Sequence, residues 1–177
     1  MTRIFLVGYM GAGKTTLGRA LATTLGLPFI DLDIYIEERY RKSIAQIFAE
    51  NGEEHFRRIE QNILHEVGEF ENVIISTGGG TPCFFDNIEY MNSQGTTVYL
   101  DVPVDRLFIR LSIARSKRPL IKDKSDEELR TFIAEQLAKR APHYSKAQHT
   151  FVADKLEDKL QVEASVKAFC EQFGIVI

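Results

Sequence analysis

Residues 8–15 read Gly8-Tyr9-Met10-Gly11-Ala12-Gly13-Lys14-Thr15, the pattern G-x-x-x-x-G-K-[ST]. This pattern does physical work only where a strand ends and a helix begins. Both flanks agree with that placement. Arg3–Val7 reads as a buried strand, and Lys14–Leu25 reads as a helix ended by Gly26 and Pro28. Glycines let backbone N–H groups approach phosphates in conformations that other residues resist. The helix that follows points its N-terminal dipole at the same anions. Lys14 adds a point charge near the β- and γ-phosphates, and the Thr15 hydroxyl can ligate Mg²⁺. Gly11, Ala12, Gly13, Lys14, Thr15 and Thr16 are therefore the expected ATP-binding loop. A dinucleotide-binding reading of Gly11-x-Gly13 needs glycine or alanine at position 16, where Thr16 stands.

Strand-like and helix-like segments alternate along the rest of the chain. Residues 28–32 form a second short strand, followed by a helical stretch to about Val67. That stretch breaks near Ser43, which opens a capping-box pattern with Gln46, and again near Gly52. Residues 72–77 are β-rich and stop at three glycines. A helix over 86–94, a strand over 96–102 and a helix over 104–114 follow. Residues 115–126 are rich in Lys, Arg, Asp and Ser, without apolar periodicity, and read as a mobile loop. Ser125 with Glu128 opens a helix to about Arg140; a strand over 149–153 and a helix over 160–173 complete the chain. This alternation predicts a mainly parallel α/β sheet covered on both faces, with ligands at the carboxyl ends of the strands.

Length and composition narrow the function. At 177 residues the expected organisation is a single domain, 1–177. A net charge of −3 with no dominant basic stripe gives no reason to expect nucleic acid. No apolar run reaches membrane-spanning length. The chain enters Arg3–Val7 directly, with neither a signal-peptide pattern nor an Arg/Ser-rich extension, so the cytoplasm is the expected location. Two cysteines, Cys83 and Cys170, are too few for a disulfide framework, and the four histidines lack zinc-ligand spacing. A GTPase switch would show D-x-x-G and N-K-x-D, and neither occurs. An interaction-only ATP binder would not need the arginines described next.

Taken in order, several short motifs resemble the shikimate kinase family over nearly the whole chain. They are the loop at 8–15, Asp31-Leu32-Asp33, Phe56-Arg57-x-x-Glu60, Gly78-Gly79-Gly80, Arg118-Pro119-Leu120 and Arg140-x-Pro142-x-Tyr144. The resemblance implies a P-loop kinase fold with a five-stranded parallel sheet of order 2-3-1-4-5 and a mobile lid over about 115–126. It implies ATP and shikimate as the small-molecule partners of a monomer, with Mg²⁺ as cofactor. A related kinase acting on another small acceptor, such as gluconate, is the alternative.

Read from its own surroundings, Asp31 could support Mg²⁺ directly or through water. Asp33, two residues on, should reach the acceptor and receive the attacking proton, or else cap the next helix. Arg57 beside Arg58 would ordinarily be a solvated face. The resemblance implies that Arg57, not Arg58, binds the acceptor carboxylate, held by Glu60 at i+3, with Arg140 as the second clamp. Gly78, Gly79 and Gly80 would expose bare backbone for a ring, Ser76 resembles the family's position near the metal, and Phe48 and Phe56 could wall the pocket, although aromatics at helical spacing are more often core. Arg118, otherwise a solvated loop charge, would act on the transferring phosphoryl group like an arginine finger supplied in cis. Lys14, Asp33 and Arg118 are thus the expected catalytic residues. Arg110 and Arg115 are both available to cover adenine, beside a loop near 153–156.

Overall fold

The computed structural model describes residues 2–118 and 120–175, without the side chain of Lys117. Five strands, β1 (Arg3–Val7), β2 (Phe29–Asp31), β3 (Val73–Ser76), β4 (Thr96–Asp101) and β5 (His149–Val152), form one sheet of order β2-β3-β1-β4-β5. All four pairings are parallel. Seven helices connect them among the described residues: α1 (Lys14–Leu25), α2 (Leu32–Tyr40), α3 (Ile44–Gly68), α4 (Asn87–Gln94), α5 (Val104–Ile113), α6 (Asp126–Tyr144) and α7 (Lys159–Gln172).

The sheet is buried on both faces because its strands are apolar at successive positions. Ile4 and Leu6 of β1 face one core with Leu17, Leu21, Leu107, Leu111, Ile133 and Phe169, from α1, α5, α6 and α7. Phe5 and Val7 face the other with Leu32, Ile36, Phe56, Ile63 and Met91, from α2, α3 and α4. Each such side chain contributes about 1.5–3 kcal/mol on burial, so the central strand holds both layers. No described helix is long and apolar enough to cross a membrane.

The helix starts follow local chemistry. Ser43 and Gln46 form a reciprocal capping box at α3, and Ser125 and Glu128 form another at α6. Gly52 interrupts α3 with φ 80° and ψ 174°. Three boundaries differ from the sequence reading. Leu32 belongs to α2 rather than β2, because the Asp31 side chain accepts from the Ile34 N–H and caps that helix. Helix α6 runs to Tyr144, beyond Arg140 and through Pro142. Tyr144 is fully buried and its hydroxyl bonds the Gly79 carbonyl at 2.6 Å, which holds the last turn despite the proline. A 3-10 turn, Thr81–Cys83, follows the three glycines and was not anticipated.

The described residues of the 115–126 segment form tight turns rather than open coil. Arg115 donates to the Lys124 carbonyl at 3.0 Å and pairs with Asp126. Ile121 is fully buried while Leu120 is 72 % exposed, so one residue pins the segment to the core. Pro119 lies outside the described residues.

Candidate active site

A cleft of about 480 Å³ opens at the carboxyl ends of β1, β2 and β3. Its floor is the loop between β1 and α1. Gly11 and Gly13 adopt left-handed φ values of 79° and 94°, which disfavour any side chain. Gly13 caps α1 without a side-chain acceptor, leaving the helix's first N–H groups open to an anion. Lys14 is 8 % exposed and donates to the carbonyls of Gly8 (2.7 Å) and Tyr9 (2.9 Å). Burial lowers its pKa to about 8, opposed by the charges of Asp33 and Asp31.

The Thr15 hydroxyl donates to Asp31 Oδ2 at 2.8 Å. Strand register pairs Asp31 with Ser76, which is 2 % exposed. These hard oxygens fit Mg²⁺, which takes one or two protein ligands and fills the rest of its octahedron with water and phosphate. Capping, one reading for Asp33, is done by Asp31 instead. Asp33 is thereby free to line the cleft beside Lys14. Its pKa is pushed up to about 6, first by burial and then by the charges of Glu60 and Asp31, against the pull of Lys14. A carboxylate so poised is a better proton acceptor than an ordinary aspartate.

The glycine turn brings the remaining groups together. A β-carbon on Gly78 would meet Asp33 Oδ1 at 2.9 Å, one on Gly79 would meet Arg140 Nη1 at 3.3 Å, and one on Gly80 would meet Arg57 Nη2 at 2.7 Å. A side chain at Gly78 or Gly80 would thus displace the Asp33 carboxylate or the Arg57 guanidinium, and one at Gly79 would be crowded. Gly78 and Gly79 line the cleft; Arg57, Gly80 and Arg140 stand behind them. Arg57 and Arg58 separate by burial: their side chains are 11 % and 64 % exposed. Arg57 gives Nη1 to Glu60 at 2.9 Å, while Nε and Nη2 share the exposed Glu53. Its guanidinium also lies 4.0 Å from the Phe84 ring centroid, a contact the sequence reading missed. Phe56 is 3 % exposed and packs against Phe48, so this pair is chiefly core.

Arg118, which lines the cleft, and Arg140, behind the glycine turn, have no ion-pair partner among the described residues. The Arg118 guanidinium reaches the Met10 sulfur, at 4.0 Å, and that of Arg140 lies 5.7 Å from the Tyr9 ring centroid. Partly buried guanidinium groups without a counter-ion are preset for an anionic ligand. Arg110 and Arg115, left open by sequence, are distinguished by their bonds. Arg110 donates to the carbonyls of Gly11, Ala12 and Ala153 and pairs with Glu157 at 3.0 Å, so it borders the cleft. Arg115 is spent within its own loop. Leu156 closes the same side, only 2.3 Å from where a β-carbon on Gly13 would lie.

A parallel sheet of this order, with a phosphate-binding loop after its middle strand, is the P-loop kinase fold. The glycine turn gathers Asp33, Arg57 and Arg140 beside that loop, a set of groups suited to a small polar acceptor. A family model described as shikimate kinase matches residues 10–172. A shikimate kinase of Phocaeicola vulgatus is 63 % identical over 166 residues, covering 94 % of this chain and 95 % of that protein. One from Bacteroides fragilis is 61 % identical over 167 residues, covering 94 % and 93 %. The crystal structure of shikimate kinase from Bacteroides thetaiotaomicron superposes with a TM-score of 0.93 at 56 % identity, covering 98 % of both chains. That of Acinetobacter baumannii shikimate kinase, in complex with shikimate, gives 0.81 at 33 % identity, covering 98 % of this chain and 94 % of that one. The chain belongs to the shikimate kinase family.

Proposed function

We propose that this chain transfers the γ-phosphoryl group of ATP to shikimate, giving ADP and shikimate 3-phosphate on the route to chorismate and the aromatic amino acids. The observation that carries this reading is the glycine turn at 78–80, which gathers Asp33, Arg57 and Arg140 beside the phosphate-binding loop. A ring bearing one carboxylate and several hydroxyls matches that set of groups.

Roles follow from position. Gly11, Ala12, Gly13, Lys14, Thr15 and Thr16 cradle the nucleotide, and Lys14 leaves its carbonyl partners for the β- and γ-phosphates. Thr15 and Asp31 would hold Mg²⁺, directly or through water, and the ion would supply positive charge to offset that of the phosphates. Asp33 orients the attacking hydroxyl and takes its proton. Arg57 keeps Glu60 and exchanges the exposed Glu53 for the acceptor carboxylate, with Arg140 as the second arm. Arg118 meets the charge that builds on the transferring group. One domain does this work as a cytoplasmic monomer, with an acceptor-binding region over about 33–61 and residues 115–126 closing as a lid.

Charge-assisted hydrogen bonds to an anion are worth about 1.5–3 kcal/mol, or roughly 10- to 150-fold. Arg57→Ala and Arg140→Ala are each expected to lose this mainly in the KM for shikimate, with the KM for ATP barely moved. An acceptor with a neutral amide in place of the carboxylate should be poor for the wild type but lose little more in either variant. Simple addition of the two losses would remove the arginines from the carboxylate.

A further inference from the structure

A buried polar relay stands behind the acceptor face. Asn87 is fully buried, and its Nδ2 donates to the Thr81 carbonyl at 2.9 Å. Thr81 is fully buried as well, and its hydroxyl donates to Glu60 Oε2 at 2.8 Å. Glu60 is 1 % exposed, and its other oxygen accepts from Arg57 Nη1 at 2.9 Å. Each link is therefore a short hydrogen bond between groups removed from water, ending on a guanidinium beside the glycine turn.

A carboxylate this deep is tolerated only when donors satisfy its oxygens. Arg57 supplies one oxygen and Thr81 the other. The backbone of Thr81 is itself fixed, since its N–H donates to the Gly78 carbonyl at 3.1 Å and its carbonyl is held by Asn87. The hydroxyl thus sits at a set place on the 3-10 turn and sets the plane of the Glu60 carboxylate. That plane in turn aims the Arg57 fork.

We infer that Thr81 is a positioning residue for the acceptor clamp, acting on Arg57 through Glu60. The inference rests on the reading of Arg57 as a ligand of the acceptor carboxylate. Without the hydroxyl, Glu60 Oε2 is buried with no donor. The carboxylate then turns to draw a second N–H from Arg57, and the fork swings away from the acceptor. None of the hydrogen bonds described for the relay's side chains runs to the phosphate-binding loop, so nucleotide binding is expected to be unaffected.

Two substitutions separate this from a space-filling role. Thr81→Val keeps the volume and removes the hydroxyl, while Thr81→Ser keeps the hydroxyl and removes the methyl. Thr81→Val is expected to raise the KM for shikimate about tenfold, with a smaller loss in kcat and the KM for ATP changed by less than about twofold. Thr81→Ser should stay close to wild type. Where Val at this site does not fold, Thr81→Ala takes its place with the same expected pattern. Placed in an Arg57→Ala background, Thr81→Val should add less than about twofold, because the group it positions is already gone. Wild-type kinetics in Thr81→Val, equal losses in the Val and Ser variants, a matching change in the KM for ATP, or additive losses in the double variant would each overturn the inference. Those outcomes presuppose a wild type that phosphorylates shikimate. A wild type inert towards shikimate would instead sink the functional reading.

Discussion

Arg118→Ala is expected to lower kcat about 10³-fold, the scale of losing an arginine that meets transition-state charge in phosphoryl transfer. The physical basis is its unspent charge. Arg118 lies near enough to Lys14 to help lower the lysine's pKa, yet among the described residues its guanidinium has only a methionine sulfur at 4.0 Å as a polar contact. An arginine placed so gains its electrostatic reward when phosphate charge arrives and builds. The loss should therefore fall on kcat, with the KM for shikimate little changed. Rapid-quench measurement of single-turnover chemistry checks this. A variant that keeps its chemical rate and loses only ATP affinity would make Arg118 a ground-state phosphate ligand.

Asp33→Asn should lower kcat by about 10²- to 10⁴-fold, the usual worth of a positioned general base, while leaving ATP affinity nearly intact. The same change is expected to stabilise the ligand-free protein. Asp33 is partly buried and carries its charge beside Glu60 and Asp31, which together with burial raise its pKa from 3.8 to about 6. An acid whose folded pKa exceeds its unfolded one binds extra protons when folded. Its stability penalty is therefore absent below pH 3.8 and complete above about pH 6. In metal-free buffer at pH 7.5 the Asn variant should melt a few degrees higher than the wild type, at about 2–4 °C per kcal/mol for a chain of this size. Near pH 4 that advantage should vanish. A lower melting temperature at pH 7.5 would mean that the Asp33 charge is paid back by partners other than those described.

Much of this architecture was legible because local chemistry dictates it. A loop that must wrap phosphate leaves little freedom in its spacing, so residues 8–15 declared a nucleotide-phosphate site between a strand and a helix. Ser43 with Gln46 and Ser125 with Glu128 declared two helix starts for the same reason. The strand order was another matter: it rested on family resemblance, since parallel pairings between distant segments leave no mark in local periodicity.

What stayed hidden depends on tertiary contacts. Arg110 and Arg115 are alike in sequence, and only the folded chain sends one to the phosphate-binding loop and ties the other to Lys124 and Asp126. Helix α6 passes Pro142 because Tyr144 is buried and bonded to Gly79, which no propensity rule anticipates. Thr81 and Phe84 follow a glycine turn and carry no motif, yet they surround Glu60 and Arg57. The presence of Pro82 two residues past Gly80 was the one available hint of a tight turn there.

The central claim is most directly tested by steady-state turnover of Mg²⁺-ATP by the purified chain with shikimate, with gluconate and without acceptor, the product being read by phosphorus NMR. ADP is expected to form in step with shikimate consumed, with phosphate on the 3-hydroxyl and negligible turnover otherwise. Faster turnover with gluconate, or ATP hydrolysis indifferent to shikimate, would contradict the claim.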